Sequence, residues 1–209
     1  GWDVHTLTVS RSATPAAVKA QVLAAVQAAP TAPTTLYLLG HVPVPYSGNL
    51  APDGCGDHAG AWPADGFYAD LDGLWPDTSV NTVTADGTRN DNIPGDGKLD
   101  PSLLPTPLEL AVGRVDLHSL SRAPAAAVSE AALLRRYLRK AHDFRMRQGA
   151  YATLPRRSLI LDSLGYLAGE NPAASGWALA FAASGPAIDE PAAGQWFSET
   201  FAGGKTYLF

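Results

Sequence analysis

A single cysteine, Cys55, leaves the 209 residues with no way to form an internal disulfide, and one thiol says little about redox compartment. Charge is sparse as well. Asp, Glu, Lys and Arg make up 17% of the chain, at the low end for globular proteins, and the net charge is -5. That balance lacks the basic stripe a nucleic-acid surface requires, and it suits solubility and cation binding. No run of about 18 apolar residues occurs, so nothing in the sequence reads as a membrane span. A phosphate-binding Gly loop, a dinucleotide fingerprint, a Gly-x-Ser-x-Gly elbow, internal repeats and a secretory leader are all missing from these residues. What is plentiful is apolar: 46% hydrophobic residues can bury a substantial core, and one loop-rich domain over 1–209 is the expectation.

Period-two alternation over Trp2–Val9 predicts a strand. Thr14-Pro15 supplies an N-cap followed by Pro at the first helical position, and a helix is expected from Ala16 to Ala29 with Val18, Val22, Leu23 and Val26 on one face. The short apolar run Thr35–Gly40 has the signature of a buried parallel strand. Glu109–Val115 reads as a second such strand and Ser158–Asp162 as a third. Ser129–Met146 predicts a capped helix, basic on its exposed side, and residues 177–183 and 195–201 predict two more helices. Alternating strands and helices imply an α/β fold, an open, mostly parallel sheet with helices on both faces. The chain opens inside a strand pattern and closes on another, Thr206–Phe209, so the domain is expected to be incomplete at both ends.

Between His41 and Pro107 the periodicity gives way to a long irregular insertion rich in Gly, Pro, Asp and Asn. Loops of that length are usually functional or ligand-stabilised. Ligands of parallel sheets bind beyond the carboxyl ends of the strands, which singles out His41, Asp116 and Asp162. Asp91, Asn92, Asp96 and Asp100, with Gly95 and Gly97 between, offer the oxygen ligands and turns that calcium takes. Asp65, Asp70 and Asp72 form a further acidic set. The spacing is not that of an EF-hand, and acids in Asp-Gly turns serve equally well without a metal. His41, Cys55 and His58 are the candidate catalytic residues; their spacing matches no standard zinc module, and a thiol among acids is a poor nucleophile. Trp62, Phe67, Tyr68 and Trp75 either line a groove for a peptide or sugar or pin the insertion onto the domain.

Four segments in order resemble the gingipain-type cysteine peptidase family. Gly1–Val4 with Thr14–Lys19 and Leu36–Pro43 resembles its opening strand, helix and YLLLVGD-type strand. Ala64–Gly73 resembles its YYADLDG segment, and Leu108–Val115 followed by Leu133–Leu138 its LAVGR strand and next helix. The resemblance implies a caspase-like, three-layer α/β fold and a peptide or protein substrate, in a secreted or cell-surface bacterial protein. The family's activity needs a His-Gly and a Cys at the ends of two late strands. The first of those strands would begin near Thr206, so both catalytic positions would lie in the remainder of a parent chain. The family carries an acid where His41 stands. Two other readings stay open: a non-catalytic, calcium-stabilised binding or structural module, and a metal-dependent hydrolase using His41, His58 and nearby Asp.

Overall fold

The computed structural model describes residues 3–52, 54–83, 85, 87–120, 128–153, 158–159 and 188–189. The chain divides into two compact units, Gly1–Arg136 and Tyr137–Phe209.

In the first unit, helix α1 (Pro15–Ala28) begins where Thr14 Oγ1 accepts the Ala17 N–H, 3.2 Å away, with Pro15 at the first helical position. Proline costs nothing there, because its missing N–H would have no partner in the first turn. Val18 and Val22 are buried along one stripe of α1. They enter a core shared with Leu38, Val42, Phe67, Tyr68, Ala69 and Leu110. Full burial of each large apolar side chain contributes about 1.5–3 kcal/mol.

Strand β1 (Thr35–Leu39) and strand β4 (Ala111–Val115) pair in parallel, with Leu38 opposite Arg114. The molecule is thus mixed α/β with a small parallel sheet. β1 buries Leu38 and half-buries Leu36 while Tyr37 and Leu39 are about half exposed, so it alternates and is not buried on both faces. That corrects the reading of Thr35–Gly40 as an interior strand: apolar content alone does not tell a two-faced strand from a one-faced one.

The long connection between β1 and β4 is more regular than expected. β2 (Tyr46–Leu50) and β3 (Gly60–Pro63) form an antiparallel hairpin, followed by the short helix α2 (Gly66–Ala69). An isolated bridge from Ser47 to Leu99 ties the following loop back onto the hairpin, and a second, Thr82 to Asn92, closes that loop on itself. The turn chemistry of Gly, Pro and Asp masked these strands, each of which is only four or five residues long.

A second correction concerns residues 3–9, which carry no strand in spite of their alternation; Val9 instead packs against the edge of the core. Alternating β-branched residues mark a strand only where a partner offers a ladder. Helix α3 (Glu130–Arg145) starts as expected, with Ser129 Oγ accepting the Ala132 N–H at 3.3 Å.

In the second unit, the end of α3 is closed by Arg147 in a left-handed conformation (φ 54°), with Gln148 N–H bonded to Asp143 O. Phe144 meets Tyr151 edge-on at 5.8 Å. Strands β5 (Ser158–Leu159) and β6 (Ile188–Asp189) pair in parallel. The expected helices over 177–183 and 195–201 and the strand from Thr206 lie outside the described residues, as does Asp162.

Candidate functional site

The carboxyl ends of β1 and β4 carry the polar residues that sequence position singled out. Gly40 follows β1 with φ +85°, a conformation that side-chain-bearing residues adopt at a cost, and its N–H bonds to Val115 O at 2.8 Å. This turn delivers His41 to the end of β4. There His41 Nδ1 lies 2.8 Å from Asp116 Oδ2.

Asp116 also accepts the His118 N–H through Oδ1 at 2.9 Å. Burial works against its charge. The bonds from the His118 backbone and His41, with the nearby His41 and Arg114 charges, outweigh that and hold the carboxyl below its ordinary value. An ionised carboxylate only accepts, so His41 carries its proton on Nδ1 and a neutral ring presents Nε2 as a free acceptor. One aspartate thus fixes both the tautomer of His41 and the backbone of His118.

The His118 ring stacks on His41 with centres 4.3 Å apart. Arg11 donates to His118 Nδ1 at 3.1 Å and to Glu130 Oε2 at 2.6 Å. Since Arg has no acceptor, His118 Nδ1 is a lone pair and the proton of a neutral ring sits on Nε2. An acceptor on the half-buried His41 ring and a donor on the exposed His118 ring therefore stand side by side, next to an open pocket of about 260 Å³ lined by Asp116, Ser119 and Leu120. Sequence reasoning found His41 and Asp116 and missed His118, Glu130 and Arg11. The Asp-x-His spacing at 116–118, an Asx-turn signature, was the available clue to His118.

The acidic residues of the insertion separate into three environments. Asp65 forms a two-pronged ion pair with Arg114, with Nε and Nη2 each 2.8 Å from a carboxylate oxygen; Arg114 also donates to the Val42 and Pro43 carbonyls. The Tyr68 hydroxyl, donating to Pro43 O, is pushed up to about 12, mainly by burial.

Asp70 is fully buried. It accepts from Thr106 Oγ1, Gly73 N–H and Trp75 Nε1, and these bonds overcome desolvation to hold its carboxyl below the usual range. Gly73 is required here, because a Cβ would run into the Asp70 carboxylate. Asp70, Asp72 and Glu109 bring one carboxylate oxygen each within 4.8 Å of one another, a group that could hold a metal ion. Glu109 escaped the sequence reading, being placed in a strand. Lys19, half-buried against the rings of Phe67 and Trp75, has its pKa lowered by burial while the charges of Asp70, Glu109 and Asp72 act to raise it. Lys19 therefore supplies positive charge to this group.

The expected calcium loop forms the third environment. Asp100 takes bonds from the N–H groups of Thr78, Ser79 and Val80 and from both hydroxyls. Asp96 accepts from Ile93 N, Lys98 N and Lys98 Nζ. Asn92 is fully buried and donates to Gly48 O and Leu99 O. Buried oxygens of Asp91 and Asn92, both Oδ1, have no hydrogen-bond partner.

The aromatic residues divide as well. Phe67 and Tyr68 are core residues, whereas Trp62 and Trp75 border an open pocket of about 150 Å³ with Ser47, Leu50 and Leu104. The remaining candidates, Cys55 and His58, sit apart from the His41–Asp116 pair in the loop between β2 and β3, where Gly56–His58 forms a single 3₁₀ turn. Their ligand atoms lie within 4.8 Å of each other and of the Asp57 carboxylate. No helix among the described residues is long and apolar enough to cross a membrane. No family model, no curated protein and no solved structure matches the chain.

Proposed function

We propose that the chain is a fragment or relative of a secreted, gingipain-like cysteine peptidase, supplying the strand edge that flanks a bound peptide and not the attacking thiol. The observation that carries this reading is the parallel pairing of β1 with β4, which puts His41, Asp116 and an open pocket together at the carboxyl edge of a parallel sheet. The order of the resembling segments supports it independently. A thiol-directed peptidase probe, applied to a parent protein extended beyond Phe209, is expected to label a cysteine in the added residues and to spare Cys55. No labelling together with peptide binding would favour the silent binding module instead. Retained hydrolysis by the 209-residue chain, abolished by a chelator, would favour the metal-dependent hydrolase.

Calcium belongs to the same proposal. The unpartnered oxygens of Asp91 and Asn92 fit a hard cation, which takes carboxylate and amide oxygens together. Binding to the folded state alone raises stability by about 2.7 kcal/mol at a hundredfold excess over Kd. Thermal unfolding with calcium and with chelator is expected to differ, and Asp91→Ala is expected to remove the difference. Loss of the shift in Asp72→Ala, with Asp91→Ala unaffected, would move the ion to the Asp70–Asp72–Glu109 group. No shift in the native chain would leave these acids as turn residues.

A further inference from the structure

The loop joining β2 to β3 is a tightly held turn that gathers three different metal-ligating side chains. The Gly54 N–H bonds to Ala51 O, the His58 N–H to Cys55 O and the Ala59 N–H to Gly56 O, so backbone bonds fix the path from 54 to 59. Trp62 clamps its base: the indole N–H reaches Leu50 O at 3.1 Å and His58 O at 3.3 Å, linking both sides of the hairpin. On this turn Cys55, Asp57 and His58 each offer one ligand atom, all within 4.8 Å of one another. Cys55 and Asp57 are exposed and His58 is half-buried, so an ion could arrive from solvent.

The donor set selects the ion. A thiolate and an imidazole suit zinc and other borderline divalent metals, while calcium and magnesium take oxygen. Three protein ligands with one position left to water is the arrangement of an open zinc site. At zinc-ligand lengths of about 2.0–2.3 Å, tetrahedral ligands sit roughly 3.3–3.8 Å apart, so side-chain rotations of about an ångström close the set.

We infer that Cys55, Asp57 and His58 form a binding site for a zinc-class divalent cation at the tip of the β2–β3 hairpin, separate from the His41–Asp116 edge. Binding converts the Cys55 thiol to a thiolate: the sulfur's electron pair goes to the metal and the proton to buffer. Uptake is therefore coupled to proton release and weakens as pH falls. The Asp57 carboxylate beside Cys55 favours the metal-bound form by drawing the cation in.

Cobalt(II) and zinc(II) titrations of the 209-residue chain test this, with thermal unfolding of each variant as a check on folding. The native chain is expected to bind one cobalt ion with a thiolate-to-metal charge-transfer band, bleached by zinc and unaffected by excess calcium or magnesium. Cys55→Ser is expected to abolish the band, and Asp57→Asn and His58→Ala to weaken binding at least tenfold. Cys55→His is expected to bind metal without the band, since it replaces the sulfur with another zinc ligand. His41→Ala is expected to leave both band and affinity unchanged. A native chain without the band, binding that survives Cys55→Ser and His58→Ala alike, or a loss caused by His41→Ala would each overturn the assignment.

Discussion

Carboxylates do two different jobs in the first unit, and the contrast lies in what surrounds them. Asp70 and Asp100 are ringed by donors from elsewhere in the connection between β1 and β4: Thr106, Gly73 and Trp75 for one, Thr78 to Val80 for the other. At the ends of β1 and β4, Asp116 spends its oxygens on the side chain of His41 and the backbone of His118, both of whose rings are partly exposed. Carboxylates of the first kind take the place of secondary structure in a loop that has little of its own. Asp116 arranges side chains that have hydrogen-bonding capacity to offer a ligand. Acid content alone, which drew attention to the insertion, does not distinguish the two; the identity of the donors does.

The largest expected effect comes from breaking the first kind at its most buried member. Asp70→Ala leaves the Trp75 indole and the Gly73 N–H without an acceptor, leaves the Thr106 hydroxyl with Asp72 alone, and removes a negative neighbour from half-buried Lys19. Removing one side of a buried charged network costs roughly 3–5 kcal/mol. Chemical denaturation should register that loss, and a change under about 1 kcal/mol would show that the loop does not depend on its buried carboxylate.

Acid sharpens the same comparison. Desolvation works against the charge of Asp70, Asp96, Asp100 and Asp116, and hydrogen bonds, helped by nearby cations at Asp96 and Asp116, outweigh it and hold all four carboxyls below the ordinary value of 3.8. A depressed carboxyl pKa contributes stability that is fully present well above 3.8 and is lost as pH falls through the folded-state values. The urea midpoint should therefore fall with acidification in the region around and below pH 3.8. Asp100→Asn should flatten that fall. An unchanged pH profile in the variant would mean that the five bonds to Asp100 favour its charged form no more than water does.

Much of the first unit was legible from sequence because local chemistry and tertiary packing agree there. Thr14-Pro15 and Ser129 cap their helices, and Val18 and Val22 face the core. Both β1 and β4 were readable as short apolar runs, but their pairing with each other was not. Residues 3–9 failed the same test because alternation is only permission to form a strand, and a hydrogen-bonding partner is also required. At the site, strand-end position identified His41 and Asp116. His118 follows Asp116 by two residues, while Arg11 reaches His118 and Glu130 across 107 and 119 positions, contacts that no local pattern encodes. Asp91 to Asp100 looked like one ligand set, yet Asp96 and Asp100 turn to backbone N–H groups of different turns. Short spacing puts acids near each other without fixing where their oxygens point.

The smallest effect expected on stability is at the edge itself. His41 is partly exposed and its bond to Asp116 is shared with solvent, so His41→Ala should change stability by less than about 1 kcal/mol. Its consequence should be chemical. Without His41, Asp116 keeps its bond to the His118 backbone but has a free Oδ2, and the stacked pair becomes a lone imidazole held by Arg11. Histidine NMR at one fixed pH separates the two roles: loss of the His41 ring, whose centre lies 4.3 Å from that of His118, should move the His118 ring resonances. A destabilisation as large as that of Asp70→Ala would place His41 among the residues that build the fold. A near-neutral stability change with shifted His118 resonances would keep it where the geometry puts it, on a surface arranged for contact with something else.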